Sequence, residues 1–285
     1  MLFRFIHVIS IHLIFLTASA FVSAQAPVKQ EPVKQAPAKK VEKKADPKPT
    51  PGISAKEAAK NPTAEMIAET TIFVYGLGGG RLVLDQIRKT AMEKGRTNVL
   101  NDEGRMEQAA YQKWTSRGES LKKQRIRLDQ EFPSARYSLI YNDDKTFGIF
   151  NETVFTPRDD AARAFQNQII YGLDFLLRYK ENESQLVLAG KEKIAGVEFH
   201  LLDVTDKQGR KARFFVSAKT YRVMMLEYTD EGKKYTRKYY DYNNAQGTLV
   251  PFRTVLYQGD KMIEETSIGT VTFGQKIDDA MYSAN

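Results

Sequence analysis

The last third of the chain is a run of extended segments separated by tight turns, and few folds accommodate it. The turns are Asp206–Lys211, Ser217–Thr220, Thr229–Lys234, Asn243–Thr248 and Gln258–Lys261. Four of them hold a central Gly, and they recur about every 11 to 15 residues, the rhythm of an antiparallel meander. The strands between them carry apolar side chains at adjacent positions, as in Phe214-Phe215-Val216 and Val223-Met224-Met225-Leu226. Neighbours on a strand point to opposite faces of a sheet, so both faces here are apolar. One face suits a core under helices. The other needs a lid, a partner or a ligand, or is simply an aromatic-rich outer face. Tyr235, Tyr239, Tyr240 and Tyr242 crowd the same region.

Upstream, Thr63 is placed to cap a helix beginning at Ala64, with Glu65 and Glu69 in its early turns. The Gly76-Leu77-Gly78-Gly79-Gly80-Arg81 cluster that follows fits neither phosphate-loop template, because no Lys-Ser/Thr follows the last Gly and Arg81 stands where a third Gly is required. It reads as a helix-ending loop. Leu82 to Lys94 has a second helical pattern, with Leu84, Ile87 and Ala91 on one stripe. From Met106 the texture is strand. In the basic phrase Lys122–Asp129, Arg125 and Arg127 alternate with Ile126 and Leu128, as on a solvated strand face or an anionic-partner patch. A single helix interrupts the strands after Thr156-Pro157, with Asp159 and Asp160 at its start. Phe165, Ile169, Leu173, Leu176 and Leu177 give it one wide apolar face. The expected architecture is mainly β, in the α+β class, with about eleven strands.

The two ends restrict the compartment and the chemistry. Residues 1–24 read as a secretory signal: Arg4 is the positive n-region, Phe5–Ala20 is nearly all apolar, and Val22-Ser23-Ala24 offers a cleavage site. The alternative is a retained inner-membrane anchor, although the stretch is short for a span of about 20 residues. Residues 25–52 hold six of the ten prolines and seven Lys against three acids. Such composition builds no core and reads as a disordered linker. At about 3.1 Å per residue it would reach on the order of 90 Å, and it suits contact with an anionic membrane surface or peptidoglycan. Subtracting both segments leaves a net charge of +3 from the chain's +8 for residues 53–285, the expected folded domain. Export together with that modest charge argues against nucleic acid as a partner.

Catalytic sets are hard to assemble. There is no Cys, and His200 is the sole His beyond the first 24 residues, inside the strand phrase VEFHLLDV. Thiol chemistry and Cys-based metal sites are excluded, and zinc and a Ser-His-Asp triad have little to draw on. The Asp pairs at 143–144, 159–160 and 278–279 sit at turns and helix starts, without a calcium-loop pattern. The expectation is a non-enzymatic protein with no cofactor and no metal.

Several phrases in order resemble the LolA/LolB-like family of periplasmic lipoprotein-sorting and carrier proteins. They are Glu131-Phe132-Pro133 leading into Ala135–Tyr141, LVLAGKEKIAG before VEFHLLDV, FFVSAKTYRVMMLEY, QGTLVPFRTVLYQGD, and the closing VTFGQKIDDAMY. The resemblance spans most of residues 64–285. It implies a half-open antiparallel β-barrel with helices covering its concave face, and a carrier holding lipoprotein acyl chains or other lipid between sheet and helix lid. No position is matched to the arginine that latches the lid in those carriers. The candidate groove residues are Phe165, Ile169, Leu173, Leu177, Phe215, Met224 and Leu226. The alternative function is an envelope sensing or protein-interaction module on the same fold, with an envelope protein as partner.

Overall fold

The computed structural model describes residues 62–283, so the signal-like segment and the Pro/Lys-rich linker lie outside the described residues. Thr63 caps helix α1 (Ala64–Tyr75), its side-chain oxygen accepting from the Met66 amide. Gly76 ends the helix. A Cβ there would fall 2.6 Å from the Gly80 carbonyl oxygen, so only glycine lets α2 (Gly80–Ile87) start so close by. Arg81 ties the helices together, donating to Glu69 at 3.1 Å, Glu181 at 3.0 Å and the Leu177 carbonyl at 3.2 Å.

The expected second helix is cut short. It stops at Ile87, and Thr90–Leu100 is strand β1, paired along its length with β2 (Met106–Ser116). Pairing on both sides outweighs a helical stripe that ends at Ala91, and β-branched Thr97 and Val99 beyond it suit a strand. The next segment is also shorter than its pattern: Leu121–Lys123 is a 3₁₀ turn, and β3 begins at Arg125. The remaining strands are β4 (Arg136–Asn142), β5 (Lys145–Phe150), β6 (Thr153–Phe155), β7 (Gln185–Ile194), β8 (Val197–Thr205), β9 (Lys211–Ser217), β10 (Val223–Asp230), β11 (Lys233–Ala245), β12 (Thr248–Gln258) and β13 (Lys261–Phe273). They make one antiparallel sheet of thirteen strands rather than about eleven, in the order 6-5-4-3-2-1-13-12-11-10-9-8-7. The sheet does not close, and with its helices it is a half-open barrel.

Two consequences of this order matter. Strands β1 and β13, far apart in sequence, meet at the centre and join the halves. Gly95 marks a register shift in that seam, where a Cβ would sit 2.1 Å from the Ser267 carbonyl oxygen. The second concerns β6 and β7, which are the two opposite edges, so residues 156–184 must run from one edge to the other. That crossover is not one helix. It breaks at Tyr171-Gly172 into α3 (Asp159–Ile170) and α4 (Asp174–Leu177).

Each helix covers its own half. Under α1 and α4 lies the larger core, with Ile67, Ile72, Phe175, Leu176, Phe214 and Leu226 among its members. Under α3 lies a smaller one, where Phe165 and Ile169 meet Tyr111, Ile126, Leu128 and Tyr141. A third cluster, Phe199, Leu201 and Phe215 with Met224 and Met225, occupies the opposite face of β8–β10. Arg125 and Arg127 are partly exposed and already paired within the chain. Arg125 pairs with Asp279 at 2.8 Å, and Arg127 pairs with Asp129 at 2.7 Å and donates to the Met281 carbonyl. Together with the Ser116–Tyr282 hydroxyl contact at 2.9 Å, they fasten the C-terminal 3₁₀ turn (Asp279–Tyr282).

Candidate functional site

Between the two cores the sheet is uncovered. Most residues of β1 and β13 are half-buried or exposed, although these strands lie in the middle of the sheet. The space above them is a cavity of about 590 Å³, bounded by α3 on one side and the concave face on the other. Its size falls in the range of about 300–1,000 Å³ that encloses a single small ligand.

Apolar walls come from both halves. Phe165, Ile169 and Leu173 line it from the crossover, and Tyr111, Ile126 and Leu128 from β2 and β3. Opposite them, Tyr171, Tyr228 and Tyr235 form a stack with centroid spacings of 4.0 and 5.0 Å, and Tyr228 and Tyr235 line the cavity. The floor is polar and internally paired. Glu93 meets Lys113 at 3.0 Å, Thr97 meets Thr266 at 3.1 Å, and Glu264 accepts from Gln168 at 2.6 Å. The Tyr111 hydroxyl is buried without a hydrogen-bond partner, and burial pushes its pKa up.

Helix α3 is strapped across this space at both ends. Arg163 pairs with Glu231, and Asn167 donates to Asp230 at 2.8 Å, tying the helix to the end of β10 and the β10–β11 turn. At the other end Arg237, on β11, donates to the Tyr171 carbonyl at 2.9 Å and the Gln168 carbonyl at 3.4 Å. Those are terminal carbonyls the helix itself leaves unpaired.

The inner end, beneath α2 and α4, is charged. Arg88 donates from Nε to the Thr248 hydroxyl at 3.0 Å and from Nη2 to the Leu249 carbonyl at 2.6 Å, and Thr248 in turn donates to the Tyr75 carbonyl. Arg117 pairs with Asp174 at 2.6 Å. Burial works to raise the Asp174 pKa, but Arg117, Arg88 and Arg178 outweigh it and hold the carboxyl below the usual range. Burial, with repulsion from Arg117, pushes Arg88 down to about 10.

Of the seven residues singled out from sequence, Phe165, Ile169 and Leu173 meet at this cavity. Leu177 and Leu226 do not line it; both are buried in the larger core. The break at Gly172 turns α4 away from the α3 face, which carries Leu177 under α1 instead. Phe215 and Met224 lie on the other face of the sheet: Phe214 and Val223 take core positions and alternation sends their neighbours outward, and a register shift between Val223 and Met225 keeps Met224 off the face of Leu226. His200 is buried in β8 with its ring stacked on Tyr221, and burial lowers its pKa. Sequence reasoning missed Tyr111, Arg88, Arg117 and Arg237. Tyr235 and Tyr239 were visible as aromatics, and their period of two with Arg237 could have placed all three on one face.

The open antiparallel barrel is similar in fold to solved structures that include a LolA superfamily protein. A DUF1329 family protein from Desulfovibrio piger superposes with a TM-score of 0.57 at 13% identity, covering 78% of this chain and 98% of that one. A LolA superfamily protein from Nitrosomonas europaea superposes with a TM-score of 0.53 at 13% identity, with the same coverage of each chain. At such identity the likeness is one of fold. No protein-family model and no curated protein matches the sequence.

Proposed function

We propose that the protein is an exported, non-enzymatic carrier or binding protein for acyl chains. The observation that carries this is the cavity of about 590 Å³, walled by apolar side chains from α3 and from both halves of the sheet, and left open along its central strands. An acyl chain laid there gains roughly 0.8 kcal/mol per methylene removed from water, so ten methylenes supply about 8 kcal/mol before the costs of association. Because association costs are drawn from that gross figure, the net affinity is weaker than the micromolar value that about 8 kcal/mol would give. Export rests on the signal-like residues 1–24. Lipoprotein acyl chains and other single-chain lipids are the cargo classes that fit the walls.

The test is organic extraction and mass spectrometry of the protein purified from the periplasm, with a fluorescent fatty-acid titration on the delipidated protein. Co-purifying acyl species and saturable probe binding are expected. Clean extracts together with no probe binding would remove the reading.

A further inference from the structure

We infer that the inner end of the cavity is an anion-binding subsite, and that the cargo is a single-chain anionic amphiphile held head-inward with its carboxylate or phosphate against Arg88. This rests on the acyl-binding reading above and adds the head-group chemistry and the orientation.

The argument begins with unbalanced charge. Arg88, Arg117 and Arg178 are all largely buried around one carboxylate, Asp174, whose side chain is 20% exposed. The second acid near Arg117, Asp85, lies 3.8 Å away with nearly half of its side chain in solvent. Glu93 is already paired with Lys113. Buried charge without a counterion is costly, and a fold keeps it where something supplies the missing partner.

The second step is donor geometry. Arg88 has no carboxylate within salt-bridge distance among the described residues, and its two hydrogen bonds, from Nε and Nη2, go to neutral oxygens. Nη1 has no acceptor among the described residues, and the side chain lines the cavity. The guanidinium is fixed by Thr248, which is itself anchored on the Tyr75 carbonyl, and it lies 5.9 Å over the Tyr75 ring and 5.8 Å over the Phe273 ring. A guanidinium held so rigidly presents its remaining donor with little ordering left to lose.

The third step is an orphaned hydroxyl. Tyr239 also lines the cavity and is buried, alongside Arg237 but out of hydrogen-bonding geometry, so its hydroxyl has no partner. A wholly hydrocarbon occupant would leave this group and Arg88 Nη1 unsatisfied, whereas an acidic head satisfies donors of both kinds. The apolar walls of Ile126, Ile169 and Leu173 then run outward from the head, which sets the chain's direction.

The experiment compares dodecanoate, dodecyl phosphate and 1-dodecanol by calorimetric titration of the purified full chain at neutral pH. The three share one chain and differ in the head. At least one anion should bind roughly tenfold or more tightly than the alcohol, the gain of a charge-assisted hydrogen bond in a dry site, and the tighter anion identifies the head group. Arg88→Met should narrow that gap to within about threefold. Because the variant also loses its bonds to β12, a second measurement on the unmodified protein stands beside it: a crystal of the dodecanoate complex, with the carboxylate expected within hydrogen-bond distance of Arg88 Nη1. Equal binding of the alcohol and both anions, an undiminished preference in Arg88→Met, or a carboxylate found at the mouth beside Arg163 would each overturn the inference and leave the acyl-binding reading standing. Binding of none of the three removes both.

Discussion

Arg237 sits on β11 under the end of α3, buried, and spends its donors on the Tyr171 and Gln168 carbonyls. A charged donor on a terminal carbonyl contributes about 1.5–3 kcal/mol, and its loss orphans the acceptors. Arg237→Met keeps the length and removes the donors. Stability should fall by about 1.5–3 kcal/mol, with amide exchange speeding up at the α3–α4 break before it does in the rest of α3; unchanged exchange there would show that the arginine does not hold the crossover. Asp174 is the complementary case. Its folded pKa lies below its ordinary value, so the unfolded chain takes up its proton first on acidification. The stabilisation is present above the ordinary carboxylate range and is lost as pH falls through the depressed folded value. Urea melts from about pH 7 down to about pH 3 should show Asp174→Asn less stable at neutral pH by about 3–5 kcal/mol, because Arg117 loses its partner, and less sensitive to acid than the wild type. Parallel curves for the two proteins would contradict the assignment. Neither residue declares itself in sequence: Arg237 is one cation among several in Lys233–Lys238, and Asp174 looks like an ordinary helix-start acid. Their roles depend on what the crossover brings over them.

Helix α3 was the most legible element, and its legibility had a limit. The spacing of Phe165 and Ile169 gave the face that meets the sheet, since three and four residues make one turn. The same stripe carried on to Leu177, where the chain had already turned at Gly172 into another core. Strand β1 failed for the opposite reason. Its concave side chains, Glu93, Thr97 and Val99, face a partly empty space, so no clean apolar alternation marks them. A strand over a cavity lacks the pattern that a strand over a core displays. Ile169 separates these two situations by experiment. It is 9% exposed, packs in the smaller core and also borders the cavity. In a sealed core, Ile169→Asp would leave an unpaired buried charge and unfold the domain. Here the introduced carboxylate would border the cavity, which water can enter when no ligand fills it. A folded protein with a lowered melting temperature and lost fatty-acid-probe binding is therefore expected. Intact probe binding would remove α3 from the site, and global unfolding would assign Ile169 to a closed core.

The molecule as a whole is two half-sheets with separate cores, joined by the β1–β13 seam and bridged by one crossover. An occupant of the cavity touches both halves, the seam and α3 at once. Ligand that binds only the folded state stabilises it by mass action, about 2.7 kcal/mol at a hundredfold excess over the dissociation constant. That stabilisation should not be spread evenly. The larger core under α1 is complete without a ligand, with Ile67, Tyr75, Phe175 and Leu226 each fully buried. The seam strands, half-buried at best, have the most to gain from being covered. Amide exchange with and without saturating dodecanoate should therefore show added protection concentrated in β1, β13 and α3, and little change in α1 once global unfolding is accounted for. Protection gained instead along β8–β10 would place the ligand on the far face, over Phe199, Phe215 and Met224. Because the cavity lies over β1 and β13 while the far-face cluster lies on β8–β10, one exchange map decides whether this sheet binds on its concave side.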